Sequence, residues 1–259
     1  MSHASASSIP SLVERHRDHG RYFQGEYSPA GLERILFYRA LLSSLTVVNE
    51  KQYSSKSLLR YLVIADSCKD LLKEGTILDV GSRDDSAQQV FGSACQLIDK
   101  NNPRLASWDW ETDALPYPEN SFDHVLCLDT LEHVEHFHRS LLDLVRVARK
   151  YVVISLPNPW RKMFKQMLLG YGTTSSYGLP FEKPLDRHRW FFNTDDAEEL
   201  MFYQSANPSF PFKVKKIIHH VPIAIPRHRW QYALARTLLP SRYAKNLLVN
   251  TMFFVLEKQ

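Results

Sequence analysis

Apolar positions recur along this chain with two different periods. From Ala30 to Val48, and again from Ser57 to Leu72, they return every three or four residues, the spacing of a helix with one buried stripe. In the second run Leu58, Leu62, Ala65, Cys68 and Leu72 share a face. The next runs are short and β-branched or wholly apolar: 76–80 (TILDV), 95–99 (CQLID), 122–128 (FDHVLCL) and 151–155 (YVVIS). A helical period over 138–148 (HRSLLDLVRVA) separates the last two. Strand and helix alternating in this way predict a parallel sheet, because parallel neighbours need a crossover rather than a hairpin.

The flanks read differently. The first 20 or so residues are polar and rich in Ser and His, an arm that orders only against something else. After Ser155 the chain runs through LPNPW into a Gly-, Ser- and Tyr-rich stretch at 170–180, which reads as a long loop or lid. Thr194, followed by Asp195 and Asp196, predicts a cap and an acidic first turn for the helix that begins AEELMFYQ. Residues 212–221 and 250–258 read as closing strands, with a basic, partly helical insertion between them. The expected organisation is an N-terminal leader and helical extension over 1–55, and one domain over 56–259 with cap insertions near 156–190 and 220–246. No internal repeat or clean linker divides it further.

Composition narrows the classes. A 44% hydrophobic content over 259 residues is ample for a large core, and the net charge of +4 is a modest excess that favours no obligate nucleic-acid role. Cys68, Cys95 and Cys127 lack any CxxC spacing and fall in predicted helix or strand, where free cysteine packs as a small apolar group. No stretch approaches 18 uninterrupted apolar residues, and the N-terminus has no apolar run of signal-peptide length. These features lead us to expect a cytoplasmic protein.

In an open parallel sheet ligands bind at the carboxyl ends of the strands, so the residues there are the informative ones. Asp79 and Gly81 close the first strand and Asp99 the second. Asp109, Glu111 and Asp113 follow a weak third, and Asp129 follows the fourth. A carboxylate such as Asp99 can accept two hydrogen bonds from ribose hydroxyls. The turn itself, TILDVGSRDDSA, begins like a nucleotide-binding loop and then places Arg83, Asp84 and Asp85 where further glycines would follow.

The run ILDVGS, LIDKN, DALPYPENSFDHVLCLDTLEHV and ARKYVVISLPNP, spanning 76–159, resembles the class I S-adenosylmethionine-dependent methyltransferases, of the methyltransferase type 11-like kind. HRWFFNTDDAEEL and the closing strands resemble them more weakly. The resemblance implies an α/β, Rossmann-like, seven-stranded mixed sheet with the last strand antiparallel, helices on both faces, and S-adenosylmethionine lying across the strand ends. Position by position, it implies that Asp79, Gly81, Ser82 and Arg83 form the first cofactor loop. Asp99 takes the ribose with Lys100 beside it, Glu111 meets the adenine amine, and Asp129 lies under the sulfonium or amino-acid end. Arg83 either blocks the pocket or pairs with the cofactor carboxylate in a charge-assisted bond. The first case gives a noncatalytic binding or regulatory protein, the second a working enzyme.

Methyl transfer is an in-line displacement, so the enzyme must align nucleophile and methyl and, for a hydroxyl acceptor, remove a proton. His133 follows the fourth strand close to the expected methyl position, and His188 in DRHRWFFN offers a second base. Each could equally fix its own turn. Asp129, Glu132 and His133 form D-x-x-E-H, which looks like the E-x-x-E-H of cation-binding methyltransferases, but the pattern is common in metal-free relatives and no metal is assigned. His219 and His220, adjacent in a strand, point to opposite faces and form no joint site. The expected reaction is O-methylation of a small-molecule or glycan acceptor, because histidine bases are present and LPNP at 156–159 is not the N-methylating NPPY-type motif. Scattered charge argues against nucleic acid. Membrane-surface association is not expected, and a homodimer is left open.

Overall fold

The computed structural model describes residues 47–48, 56–100, 108–168, 187–222 and 237–259. In chain order these form β1 (Val47–Val48), α1 (Lys56–Ser67), β2 (Ile77–Val80), α2 (Ser86–Phe91), β3 (Cys95–Ile98), β4 (Phe122–Leu128), α3 (Phe137–Val147), β5 (Ala148–Pro157), α4 (Pro159–Leu168), α5 (Thr194–Ala206), β6 (Phe212–Pro222), α6 (Ser241–Leu248) and β7 (Thr251–Lys258). The N-terminal arm, most of the first predicted helix, the lid at 170–180 and the insertion as far as residue 236 lie outside the described residues.

The strands form one mixed sheet in the order β1-β6-β7-β5-β4-β2-β3. Strands β3, β2, β4 and β5 are mutually parallel, while β7 runs antiparallel to both β5 and β6. Strand β4 is buried at all seven positions, and its side chains alternate between two cores. Val125 and Cys127 face one with Leu141 and Leu144 of α3, whereas Leu126 and Leu128 face the other with Ile64 of α1. Helices therefore cover both faces.

Four expectations are corrected. Among the described residues the sheet has six full strands and one of two residues, where seven were expected. The weak third strand before Asp109 falls on 101–107, outside the described residues, and a two-residue strand on the opposite edge completes the set. That strand, Val47–Val48, was read as the end of a helix; it pairs instead, parallel, with Val221 and Pro222, because its β-branched side chains fit a sheet edge. In α1 the buried stripe is Leu59, Tyr61, Val63, Ile64 and Cys68, while Leu58, Leu62 and Ala65 are only half-buried. The cap of α5 is Asn193, whose side chain accepts the Asp196 N–H at 2.9 Å, rather than Thr194. Helices α2 and α4 were not foreseen.

The chain leaves β2 toward β3 on one side, then returns to β4 on the other. The tips of β2 and β4 thus flank the point where the strand order reverses, the place where an open α/β sheet parts its loops and admits a ligand.

Candidate functional site

At the tip of β2, Gly81 has φ +84°, a left-handed conformation that glycine adopts without strain. A Cβ there would lie 2.3 Å from Thr130 Oγ1, so the turns after β2 and β4 pack too closely for any side chain. The turn is stitched to the neighbouring strand by the Gly81 N–H, which donates to the Ile98 carbonyl at 2.9 Å. Beneath it the Asp79 carboxylate is buried, accepting from Tyr61 Oη at 2.7 Å and Ser82 Oγ at 2.5 Å. Burial pushes its pKa up to about 6, against the opposing pull of those two hydrogen bonds and of Arg60. Asp79 and Ser82 were expected in contact with cofactor. They lie behind the loop and do not line the cavity; their interaction holds its shape.

At the tip of β4, Asp129 is left-handed as well, with φ +48°. Its carboxylate accepts from Ser155 Oγ of β5 at 2.5 Å and from Arg60 Nη1 of α1 at 2.8 Å. Burial works to lower the Arg60 pKa, but the Asp129 carboxylate, with Tyr61 and Asp79, outweighs it, and the guanidinium is held charged.

The wall beyond β3 is aromatic and acidic. Asp99 follows β3, half-buried, and the Lys100 ammonium pairs with Asp109, whose pKa is lowered by that contact. Trp108 and Trp110 meet edge to face with centroids 5.0 Å apart. Trp108 Nε1 donates to the Ala114 carbonyl at 2.8 Å, while the buried Trp110 Nε1 has no acceptor among the described residues. Glu111, expected at the adenine amine, accepts the Glu135 N–H at 3.1 Å and lies 3.7 Å from Arg189.

After β4 the chain makes a 3₁₀ turn, Leu131–His133, and residues 187–190 are hydrogen-bonded onto it. The Arg189 N–H donates to the Glu132 carbonyl at 2.7 Å, Arg189 Nε to the His133 carbonyl at 2.9 Å, and Trp190 Nε1 to the Val134 carbonyl at 2.7 Å. Arg189 also pairs with Glu135. This seam brings the His133 and His188 rings together, edge to face, with centroids 4.7 Å apart. Glu132 is buried, with Oε1 3.7 Å from His133 Nε2.

These parts enclose a cavity of about 930 Å³, within the range of about 300–1,000 Å³ found for small-molecule sites. Gly81, Arg83, Asp99, Lys100, Glu111, Asp129, His133 and His188 all line it. Arg83 is exposed and does not fill the groove. Sequence reading missed Arg60 and Thr130, which also line the cavity, and Ser155, which braces Asp129. An arginine on a polar helix position carries no mark that it will cross to a strand tip. The chain can thus offer one ligand a tight backbone turn, a carboxylate at the next strand end, indole faces and, at the far end, two imidazoles.

Residues 84–155 match the model of a methyltransferase domain family. Among solved structures, an S-adenosylmethionine-dependent methyltransferase from Archaeoglobus fulgidus aligns with a TM-score of 0.50 at 14% identity, over 81% of this chain and 97% of that one. One from Thermotoga maritima aligns with a TM-score of 0.41 at 15% identity, over 78% and 92%. Coclaurine N-methyltransferase bound to N-methylheliamine and S-adenosylhomocysteine aligns with a TM-score of 0.48 at 8% identity, over 99% and 89%. No curated protein sequence matches the chain. The match to the methyltransferase domain family is confined to residues 84–155, and the fold is similar to that of the Archaeoglobus fulgidus S-adenosylmethionine-dependent methyltransferase. Among the described residues, no helix is long and apolar enough to cross a membrane.

Proposed function

We propose that this chain transfers the methyl group of S-adenosylmethionine to an oxygen of a small-molecule or glycan acceptor. The observation that carries the reading is a single cavity at the strand-order reversal that joins the Gly81 turn and Asp99 to Asp129, His133 and His188. S-adenosylmethionine would supply an electrophilic methyl on a sulfonium sulfur. The residues present fit that ligand. Gly81 admits backbone where a Cβ would collide with Thr130, and Asp99 stands where ribose hydroxyls can donate to it. Trp108 and Trp110 line the wall where a base would lie. Arg83, on the wall, is the cation for a carboxylate, and Asp129, held by Arg60 and Ser155, stands at the sulfonium or amino-acid end.

His133 and His188 are the groups placed to activate an acceptor hydroxyl, and methyl transfer gains chiefly from such alignment. Calorimetric titration of the full chain with S-adenosylmethionine and S-adenosylhomocysteine, followed by transfer of labelled methyl to a panel of hydroxylated acceptors, tests the reading. Saturable binding with turnover on hydroxyl acceptors is expected. Absence of binding at millimolar ligand overturns it, and binding without turnover across a broad panel replaces it with a noncatalytic binding role, the outcome that Arg83 in place of a second loop glycine would favour.

A further inference from the structure

We infer that Glu132, His133 and His188 form a site for one divalent first-row transition cation at the acceptor end of the cavity. The role given to the cation below rests on the methyltransferase reading; its binding does not. Each residue offers one ligand atom, and the three atoms lie within 4.8 Å of one another. They come from two segments, the turn after β4 and the stretch before α5, joined by the backbone seam of Arg189 and Trp190.

The hydrogen bonding of His133 defines its tautomer. Nδ1 lies 3.1 Å from the Arg187 carbonyl, which can only accept, so Nδ1 donates there and Nε2 is the nitrogen left to ligate. Nε2 lies 3.7 Å from Glu132 Oε1. A metal ion between the two atoms would be drawn to both. Two ligands about 2.1 Å from one ion stand roughly 3.0–3.6 Å apart, so the observed spacing closes onto an ion with small side-chain movements. The carbonyl behind His133 is also the kind of outer partner that orients a metal-bound imidazole.

Glu132 is 1% exposed, so an ion bound to it would be shielded from solvent on that side. Asp129, the first residue of the D-x-x-E-H pattern, is not part of the set, because Arg60 and Ser155 hold its two oxygens. His188 takes the third place, from 55 residues downstream of His133. Two imidazoles and one carboxylate suit manganese, iron, cobalt, nickel or zinc better than magnesium or calcium, which prefer oxygen. His133 and His188 both line the cavity, so a position on the ion can face it. There the ion would bind the acceptor oxygen and acidify its hydroxyl. The proton leaves to solvent, an oxygen–carbon bond forms as the sulfur–carbon bond breaks, and the sulfonium becomes a thioether. Acceptors would then be those whose hydroxyl can reach a metal.

The test uses the full chain, dialysed against a chelator and titrated with cobalt(II) chloride without S-adenosylmethionine. One cobalt per chain is expected, with a visible d–d absorption band, and zinc should displace it. His188→Ala and Glu132→Gln should each lose cobalt affinity by about tenfold or more. His188→Ala, the more exposed position, should keep its far-ultraviolet dichroism and its cooperative denaturant melt, which separates lost ligation from lost folding. If the wild type takes up neither cobalt nor zinc at millimolar metal, or if His188→Ala takes up as much as the wild type, the site does not exist. Failure of cofactor binding with cobalt still bound would remove the methyltransferase reading and leave the cation site standing.

Discussion

Arg60 reaches from α1 to the tip of β4, where its Nη1 lies 2.8 Å from Asp129 Oδ2, and this pair ties the first described helix to the centre of the cavity. Both side chains are about a quarter exposed or less, so solvent screens the pair only in part. Asp129 must also hold a left-handed backbone, which persists only where its surroundings over-determine it. Arg60→Met should lower stability by roughly 1–3 kcal/mol, through the carboxylate left behind. Added to Asp129→Asn, the same substitution should cost much less. Denaturant melts of the two single variants and the double variant measure the coupling; additive losses would show that the contact contributes nothing.

Asp99 follows β3 on the cavity wall, the place from which a carboxylate can take both ribose hydroxyls. Asp99→Ala should weaken S-adenosylhomocysteine binding at least about tenfold, because two hydrogen bonds to a charged acceptor are lost. Titration calorimetry decides it, and an unchanged Kd would remove Asp99 from the cofactor site.

Gly81→Ala places a methyl 2.3 Å from Thr130 Oγ1 and 2.5 Å from Cγ2, in a backbone with φ +84°. Strain of this sort costs about 1–3 kcal/mol. The variant should melt at lower temperature, and its cofactor affinity should fall by at least about tenfold, since relief of the clash must part the β2 and β4 turns. Wild-type affinity in a folded Gly81→Ala chain would mean that no ligand uses this turn.

His220, on β6, is buried, and that burial lowers its pKa from 6.5 to about 4; the Asp129 carboxylate opposes the shift and Arg161 adds to it. The unfolded chain therefore takes up a proton that the folded chain refuses. The stability contribution is full above pH 6.5 and is lost progressively as pH falls toward 4. Asp79 works in the opposite direction, since its pKa is raised to about 6 and folding gains as pH falls from there toward its ordinary value of 3.8. Comparing melting temperatures of wild type and His220→Gln across this range isolates the histidine. The variant should lose stability less steeply between pH 6.5 and 4, and parallel curves would contradict the assignment.

Much of the fold was legible because it depends on local pattern. Strand β4 was read at its observed limits, Phe122–Leu128, since seven consecutive buried positions leave only one reading for so short a run. Helix α3 and the two closing strands fell within a residue or two of their positions. Val47–Val48 was misread because two residues hold no period; only the edge of β6 makes them a strand. Helix α4 was hidden by the prolines at 157 and 159, which signal a break in sequence but serve here as the entry to a helix.

By itself, the sequence determined which side chains end the strands, because alternation, glycine and acid positions are properties of neighbours along the chain. The tertiary structure decided which of them share a space. The carboxylate of Asp79 turned inward to Tyr61 while Arg60 came across from α1, and His188 was carried against His133 by the Arg189 and Trp190 seam. Such contacts join residues 18 to 69 positions apart, and no local period records them: their partners are chosen by the packing of helices on a twisted sheet.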